Sequence, residues 1–191
     1  LYTGNGSTQY ITGVGFQPDF IWNKQRNGTN SHYLFNAITG TGKFLKSNTA
    51  DAEGTNTDTV TSFDSDGFTL GSAAGNNGSG NTMASWNWKA NGAGSANTDG
   101  SISSTVSANT TSGFSIVSWS GTGSNGTIGH GLGTPPAMII VKERNGTSSW
   151  ITWQKKLSSY KHFLLLNTTG AETDSFNNFQ NVAPTNNVFS I

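Results

Sequence analysis

Cysteine is absent from this chain. No disulfide can staple it and no cysteine-based zinc site can form, so the fold must rest on packing and backbone hydrogen bonds. The absence fits a reducing compartment. It fits equally a protein assembled inside a cell and released by lysis. Charge is also scarce. Ten Lys and Arg balance ten Asp and Glu in 191 residues, for a formal net charge of zero. Such a chain projects no field toward nucleic acid or an anionic membrane, and neither is expected as a partner. Long apolar runs are missing: residues 137–141 and 163–166 are strand-sized and far below a membrane span, so no membrane insertion is expected. Helical periodicity is missing as well, because Gly or Asn interrupts nearly every window. No signal peptide is visible. The chain opens inside a motif, Leu1-Tyr-Thr-Gly, and closes on a strand-like Val188-Phe-Ser-Ile191, which reads as part of a longer polypeptide.

What remains is 25 glycines, abundant Asn, Ser and Thr, and 11 Phe, 6 Trp and 4 Tyr in short alternating clusters. The aromatics supply enough apolar area for a core, which argues against disorder. Low charge with many turn-forming residues predicts an all-β protein with no substantial helix.

A segment near the start recurs in the second half. Gly13-Val-Gly-Phe-Gln-Pro-Asp-Phe-Ile-Trp-Asn-Lys-Gln-Arg-Asn-Gly-Thr29 aligns without a gap to Gly131-Leu-Gly-Thr-Pro-Pro-Ala-Met-Ile-Ile-Val-Lys-Glu-Arg-Asn-Gly-Thr147, with nine of 17 positions identical. Phe44-Leu45 and Asn48-Thr49 then match Phe163-Leu164 and Asn167-Thr168, and Gly67-Phe-Thr-Leu70 resembles Val188-Phe-Ser-Ile191. Upstream, Trp119-Ser-Gly-Thr-Gly-Ser matches Tyr2-Thr-Gly-Asn-Gly-Ser after a one-residue gap. The chain is therefore a tandem repeat of one structural unit, and such repeats build extended, multivalent objects. Active sites are seldom doubled, so the repeat points away from an enzyme.

Residues 19–24 and 137–142 read as equivalent strands, the second apolar enough to be buried on both faces. Phe20, Trp22, Ile139 and Val141 are expected in the core, with Lys24 and Lys142 reaching solvent. Each strand ends in Arg-Asn-Gly-Thr, which predicts a type I′ hairpin turn into a second antiparallel strand at residues 31–35 and 149–153. Thr82-Met-Ala-Ser-Trp-Asn-Trp-Lys-Ala90 is a further strand, and the second copy stops before reaching that point. Residues 91–112 carry almost no large side chain before Ile102 and read as a flexible Gly/Ser/Asn-rich linker or a long loop with one edge strand. The resulting organisation is a first β-sandwich over residues 1–90, a connecting segment over 91–112 and a second, truncated sandwich over 113–191. One larger sandwich built from both copies is the alternative.

Catalytic chemistry finds little support. The acids are scattered, without the paired carboxylates a glycosidase needs. His32, His130 and His162 have no metal-spaced partners, and no nucleophile elbow is present. Asp64-Ser-Asp-Gly-Phe68 resembles the opening of a calcium loop, with Asp64 and Asp66 as candidate oxygen ligands, but lacks the closing Glu and serves equally as a turn. Trp22, Trp86 and Trp88, with Trp150 and Trp153, are either sandwich core or flat faces on which sugar C–H surfaces stack.

The Gly-x-x-Pro-x-x-Ile-x-x-Lys-x-Arg motif spans Gly15–Arg26. Leu45-Lys-Ser-Asn-Thr49, Ser62-Phe-Asp-Ser-Asp-Gly-Phe-Thr-Leu-Gly71 and Trp86-Asn-Trp-Lys-Ala90 follow it. Together these motifs resemble repeats of large uncharacterised virion proteins of marine bacteriophages. The resemblance covers about 90 residues of the first copy. It implies a tail-fibre, spike or capsid-decoration segment of jelly-roll or concanavalin-like sandwiches at the virion surface. It supplies no catalytic residues. The implied partners are other virion proteins, copies of the chain itself and host-surface glycans. The sequence thus predicts a non-enzymatic structural or adhesion protein without a cofactor other than calcium at Asp64 and Asp66. A carbohydrate-binding module of a secreted polysaccharide-active enzyme is the alternative.

Overall fold

Glycine and asparagine punctuate the chain every few residues, and it folds as short strands joined by turns. The computed structural model describes all 191 residues. The first unit contains β1 (Tyr2–Thr3), β2 (Gln9–Ile11), β3 (Phe20–Gln25), β4 (Tyr33–Asn36), β5 (Lys43–Lys46), β6 (Gly54–Thr55), β7 (Val60–Asp64) and β8 (Gly67–Leu70). A one-turn helix, α1 (Ala74–Asn77), precedes β9 (Thr82–Trp88). Six of these strands form one sheet, in the order β1-β9-β3-β4-β5-β6, and β2-β8-β7 form another. Ile21, Phe35, Val60, Phe68 and Leu70 are fully buried in one apolar cluster that draws on both sheets. Burial of side chains this large contributes about 1.5–3 kcal/mol each. Gly67 is required where β8 passes β2, because a Cβ there would stand 1.8 Å from the Ile11 carbonyl oxygen.

The second unit repeats this plan. Its strands are β10 (Ser95–Asn97), β11 (Ser104–Asn109), β12 (Phe114–Trp119), β13 (Thr127–Gly129), β14 (Met138–Val141), β15 (Ile151–Gln154), β16 (His162–Leu165) and β17 (Thr173–Asp174). A second short helix, α2 (Phe176–Phe179), leads to β18 (Val188–Ser190). β14-β15-β16-β17 correspond to β3-β4-β5-β6, and the β13–β18 pair corresponds to β2–β8. Ile102, Ile128, Ile139, Trp153, Phe179 and Phe189 form a separate core cluster. The protein is therefore an all-β, sandwich-type fold in which helix is confined to two single turns.

The repetition extends to individual contacts. Tyr2 meets Phe68 edge-on at 6.4 Å, and Trp119 meets Phe189 edge-on at 5.8 Å. Asn48 Oδ1 accepts the His32 amide at 2.9 Å, as Asn167 Oδ1 accepts that of Trp150 at 2.9 Å. Tyr2 and Trp119 are 117 residues apart, whereas β3 and β14 are 118 apart. The one-residue gap therefore falls between Ile128 and Gly131, in the segment that carries the buried His130.

Several expectations are corrected. The Arg-Asn-Gly-Thr segments do not make type I′ turns: neither Asn27-Gly28 nor Asn145-Gly146 takes positive φ. Each belongs to a longer loop whose carbonyls are gathered by a lysine. Lys24 Nζ donates to Gln25 O at 2.6 Å and Gly28 O at 3.1 Å. Lys142 Nζ donates to Glu143 O at 2.7 Å and Gly146 O at 3.0 Å. Both lysines are thus half-buried rather than free in solvent, and the shared Lys-x-Arg-Asn-Gly pattern encodes this clamp. The core face of β3 is Ile21, Asn23 and Gln25, which places Phe20 and Trp22 on the outer face. β14 buries Ile139 but exposes Met138 and Ile140, so it is not buried on both faces. Residues 91–112 are not a plain linker or loop. β10 pairs antiparallel with β11, and β11 with β12, while Ile102 and Val106 anchor the segment by burial.

The two units touch through specific groups. Phe114 stacks on Trp88 with centroids 5.8 Å apart and planes at 22°. Trp150 Nε1 donates to the carbonyls of Lys46 and Thr49 at 2.9 and 3.1 Å. Glu53 and Arg144 join through two side-chain hydrogen bonds and one between backbones.

Candidate ligand-binding surface

Strand alternation decides which aromatics meet. β3 and β9 are antiparallel neighbours, with Phe20 opposite Trp88 and Trp22 opposite Trp86. Because Ile21 and Met83 point to the core, these four rings share the outer face of the sheet. Phe20 and Trp88 meet edge-on at 5.5 Å, and Trp22 and Trp86 at 6.3 Å. Such edge-to-face pairs hold each ring in a fixed orientation. The strip closes at one end, where Phe114 of the second unit lies 5.7 Å from Phe20 and against Trp88. It opens at the other, where Trp86 is 48% exposed.

Trp22 is fixed further by its indole N–H, which donates to His32 Nδ1 at 2.9 Å. That bond requires an unprotonated imidazole. Burial, reinforced by the nearby Lys24 ammonium, holds the His32 pKa below its ordinary value, which favours that form. The arrangement offers a rigid, half-exposed aromatic ledge, suited to stacking a flat apolar surface.

The structure thus brings together the three candidate tryptophans Trp22, Trp86 and Trp88, on the outer face rather than in the core. Trp150 and Trp153 are buried, as a core role requires. Phe20, expected in the interior, also belongs to this face. His32 and Phe114 were missed as members; an Nδ1–indole bond leaves no sequence pattern, and Phe114 arrives from the other unit.

Asp64 and Asp66 are engaged by different partners. Asp64 Oδ1 and Oδ2 accept the Ser62 and Thr69 hydroxyls at 2.5 and 2.6 Å. The Asp66 carboxylate accepts the backbone amides of Gly13 and Gly15 at 3.0 and 2.6 Å, and these bonds hold its pKa below the usual carboxylate range. No third His, Asp or Glu joins them. The Asp-Ser-Asp-Gly turn works here as a splice that ties β8 to the loop after β2.

Three further acids are similarly engaged. Glu53 holds Arg144, Asp19 accepts the Ala90 amide at 2.7 Å, and Glu172 accepts from Ser158. The family model described as "Domain of unknown function (DUF7483)" matches residues 1–191, and the chain belongs to that family. No curated protein and no solved structure matches it.

Proposed function

We propose that this chain is a non-enzymatic adhesion segment of a virion surface protein, of the tail-fibre, spike or decoration kind. It contacts host-surface glycans weakly and repeatedly through the aromatic ledge. The observation that carries the adhesive part is the clustering of Trp22, Trp86, Trp88 and Phe20 on one outer sheet face, with Trp86 exposed. A chain that leaves a pre-oriented tryptophan half in water gains a stacking surface for sugar C–H faces. The virion setting rests on the motif resemblance between Gly15 and Ala90. The non-enzymatic reading is supported by acids committed to loops and to the junction between units.

A single shallow ledge gains little beyond the cost of association, so isolated chains bind glycans with dissociation constants on the order of millimolar. Repetition on a particle raises the apparent affinity. Glycan-array binding of the isolated chain beside its Trp86→Ala variant tests this. Weak binding that the variant loses supports the proposal. Submicromolar binding to one oligosaccharide, or release of reducing ends from it, overturns it in favour of a dedicated carbohydrate-active protein.

A further inference from the structure

The junction between the two units joins a set of acceptors to a set of donors, and the chain carries each set twice. On the first unit, the Lys46 and Thr49 carbonyls accept the Trp150 indole N–H at 2.9 and 3.1 Å. The Glu53 carboxylate accepts from the Arg144 guanidinium, and the Glu53 amide donates to the Arg144 carbonyl at 2.7 Å. β5–β6 and β16–β17 pair in the same register, 119 residues apart. That offset puts Leu165, Thr168 and Glu172 at the places of Lys46, Thr49 and Glu53. The donors recur at the 118-residue offset: Arg26 is the counterpart of Arg144, and His32 that of Trp150.

The second set is open on both sides. Arg26 is exposed and enters no ion pair within the chain. Trp22 donates to His32 Nδ1, so the neutral ring carries its proton on Nε2. His32 Nε2 is thus an N–H donor, as Trp150 Nε1 is. On the acceptor side, Glu172 is exposed. It accepts from Ser158 and retains room for further donors, as Glu53 holds Arg144 while lying 3.9 Å from Lys43. Leu165 and Thr168 line an open cavity of about 290 Å³, whereas Lys46 and Thr49 hold the buried Trp150. The Glu172 amide and the Arg26 carbonyl, which match the Glu53–Arg144 backbone pair, have no backbone partner in the chain.

We propose that the Glu172 face of one chain takes the Arg26–His32 face of another copy, in the geometry that joins the two units within each chain. The internal junction argues for this occupant: an acidic side chain meets an arginine, a ring N–H meets two carbonyls, and one backbone bond lies between them. The two faces differ, so the contact is heterologous and adds copies in a row rather than closing on a pair. It is independent of glycan binding. His32 supplies a smaller ring than Trp150, and no tether raises the local concentration, so association is expected at about 0.1–1 mM chain.

Sedimentation velocity on the 191-residue chain tests this. The sedimentation coefficient is expected to rise with concentration and to pass the value of a dimer. Glu172→Arg and Arg26→Glu each set like charges against one another and are expected to weaken association about tenfold. Both side chains are exposed, so circular dichroism should be unchanged. An equimolar mixture of the two variants is expected to associate again, because Glu172 of one meets Arg26 of the other. A native chain that stays monomeric up to about 1 mM, or one that stops at a dimer, overturns the proposal. So do single variants that associate as the native chain does, or a mixture that associates no better than either variant alone.

Discussion

Trp22 and Trp86 face each other across β3 and β9 with ring planes crossing at 68°, yet they are held very differently. Trp22 is half-buried and hydrogen-bonded to His32, whereas Trp86 is 48% exposed. Structure and binding should therefore separate between them. Trp86→Ala is expected to change stability by no more than about 0.5 kcal/mol, the range of ordinary surface substitutions, and to remove glycan binding. Trp22→Ala is expected to cost about 2 kcal/mol, through lost packing and an unpartnered imidazole. Denaturant melts of both variants, read beside glycan-array signals, check this. Equal destabilisation by the two would contradict the assigned division of roles.

Much of this arrangement could be read from the residues. The 118-residue offset foretold that β3–β4 and β14–β15 would be equivalent hairpins, and Thr82–Trp88 was legible as a strand with its aromatics on one face. Which face turns inward was not legible. Hydrophobicity ranks Phe20 and Trp22 above Asn23 and Gln25, but the register of β9 and the pairing across the sheet put the polar pair inside. The lysine clamps were equally hidden. Asn-Gly is a strong turn signal, and a lysine three residues upstream does not by itself show that its ammonium will capture the loop. The strands in residues 91–112 were obscured by a run of small side chains, whose pairing depends on distant β12 rather than on local propensity.

His130 gives the fold an acid sensitivity. It is buried, its Nδ1 accepts the Leu132 amide at 3.2 Å, and its Nε2 lies 3.2 Å from the Thr185 carbonyl. Burial holds its pKa below the ordinary value, although the Thr185 bond and Asp99 pull the other way. A histidine with a lowered folded pKa contributes stability that is present above its unfolded value, about 6.5, and is lost as pH falls below it. His32 acts in the same direction. The urea midpoint of the chain is expected to fall between pH 7.5 and 5.5. In His130→Gln the fall should be smaller but not absent, because His32 remains. An unchanged slope in the variant would remove His130 from this role.

The junction between units hinges on Glu53 and Arg144, joined at 2.8 and 2.9 Å in a two-pronged contact. The Arg144 side chain is 41% exposed, so solvent screens the pair. A double-mutant cycle with Glu53→Gln and Arg144→Met should give a coupling of about 1 kcal/mol. A coupling near zero would mean that Trp150 and Phe114 hold the units together without this pair.

Asp66 makes a prediction about calcium. Its carboxylate is occupied by the Gly13 and Gly15 amides, and Asp64 by two hydroxyls. Millimolar calcium should leave the melting temperature unchanged, while Asp66→Ala lowers it to the same degree with calcium or with chelator. A calcium-dependent rise in the native chain, absent from the variant, would restore the cation reading.

The last prediction comes from comparing the two units at one core position. Asn23 is fully buried on the inner face of β3, and neither its amide nitrogen nor its oxygen has a hydrogen-bond partner. Its counterpart on β14 is Val141, beside the same buried isoleucine, Ile21 in one unit and Ile139 in the other. A buried polar group without a partner costs about 1–3 kcal/mol, and valine is close in volume and suited to a strand. Asn23→Val is therefore expected to stabilise the chain by about 1–2 kcal/mol. Across the sheet from Asn23, the Ser85 hydroxyl bonds to Asn87 instead, so the substitution breaks no existing bond. An increase in the urea midpoint with an unchanged slope would confirm the gain. A decrease would mean that Asn23 has a role in the folded protein that the valine of the second unit does not need to fill.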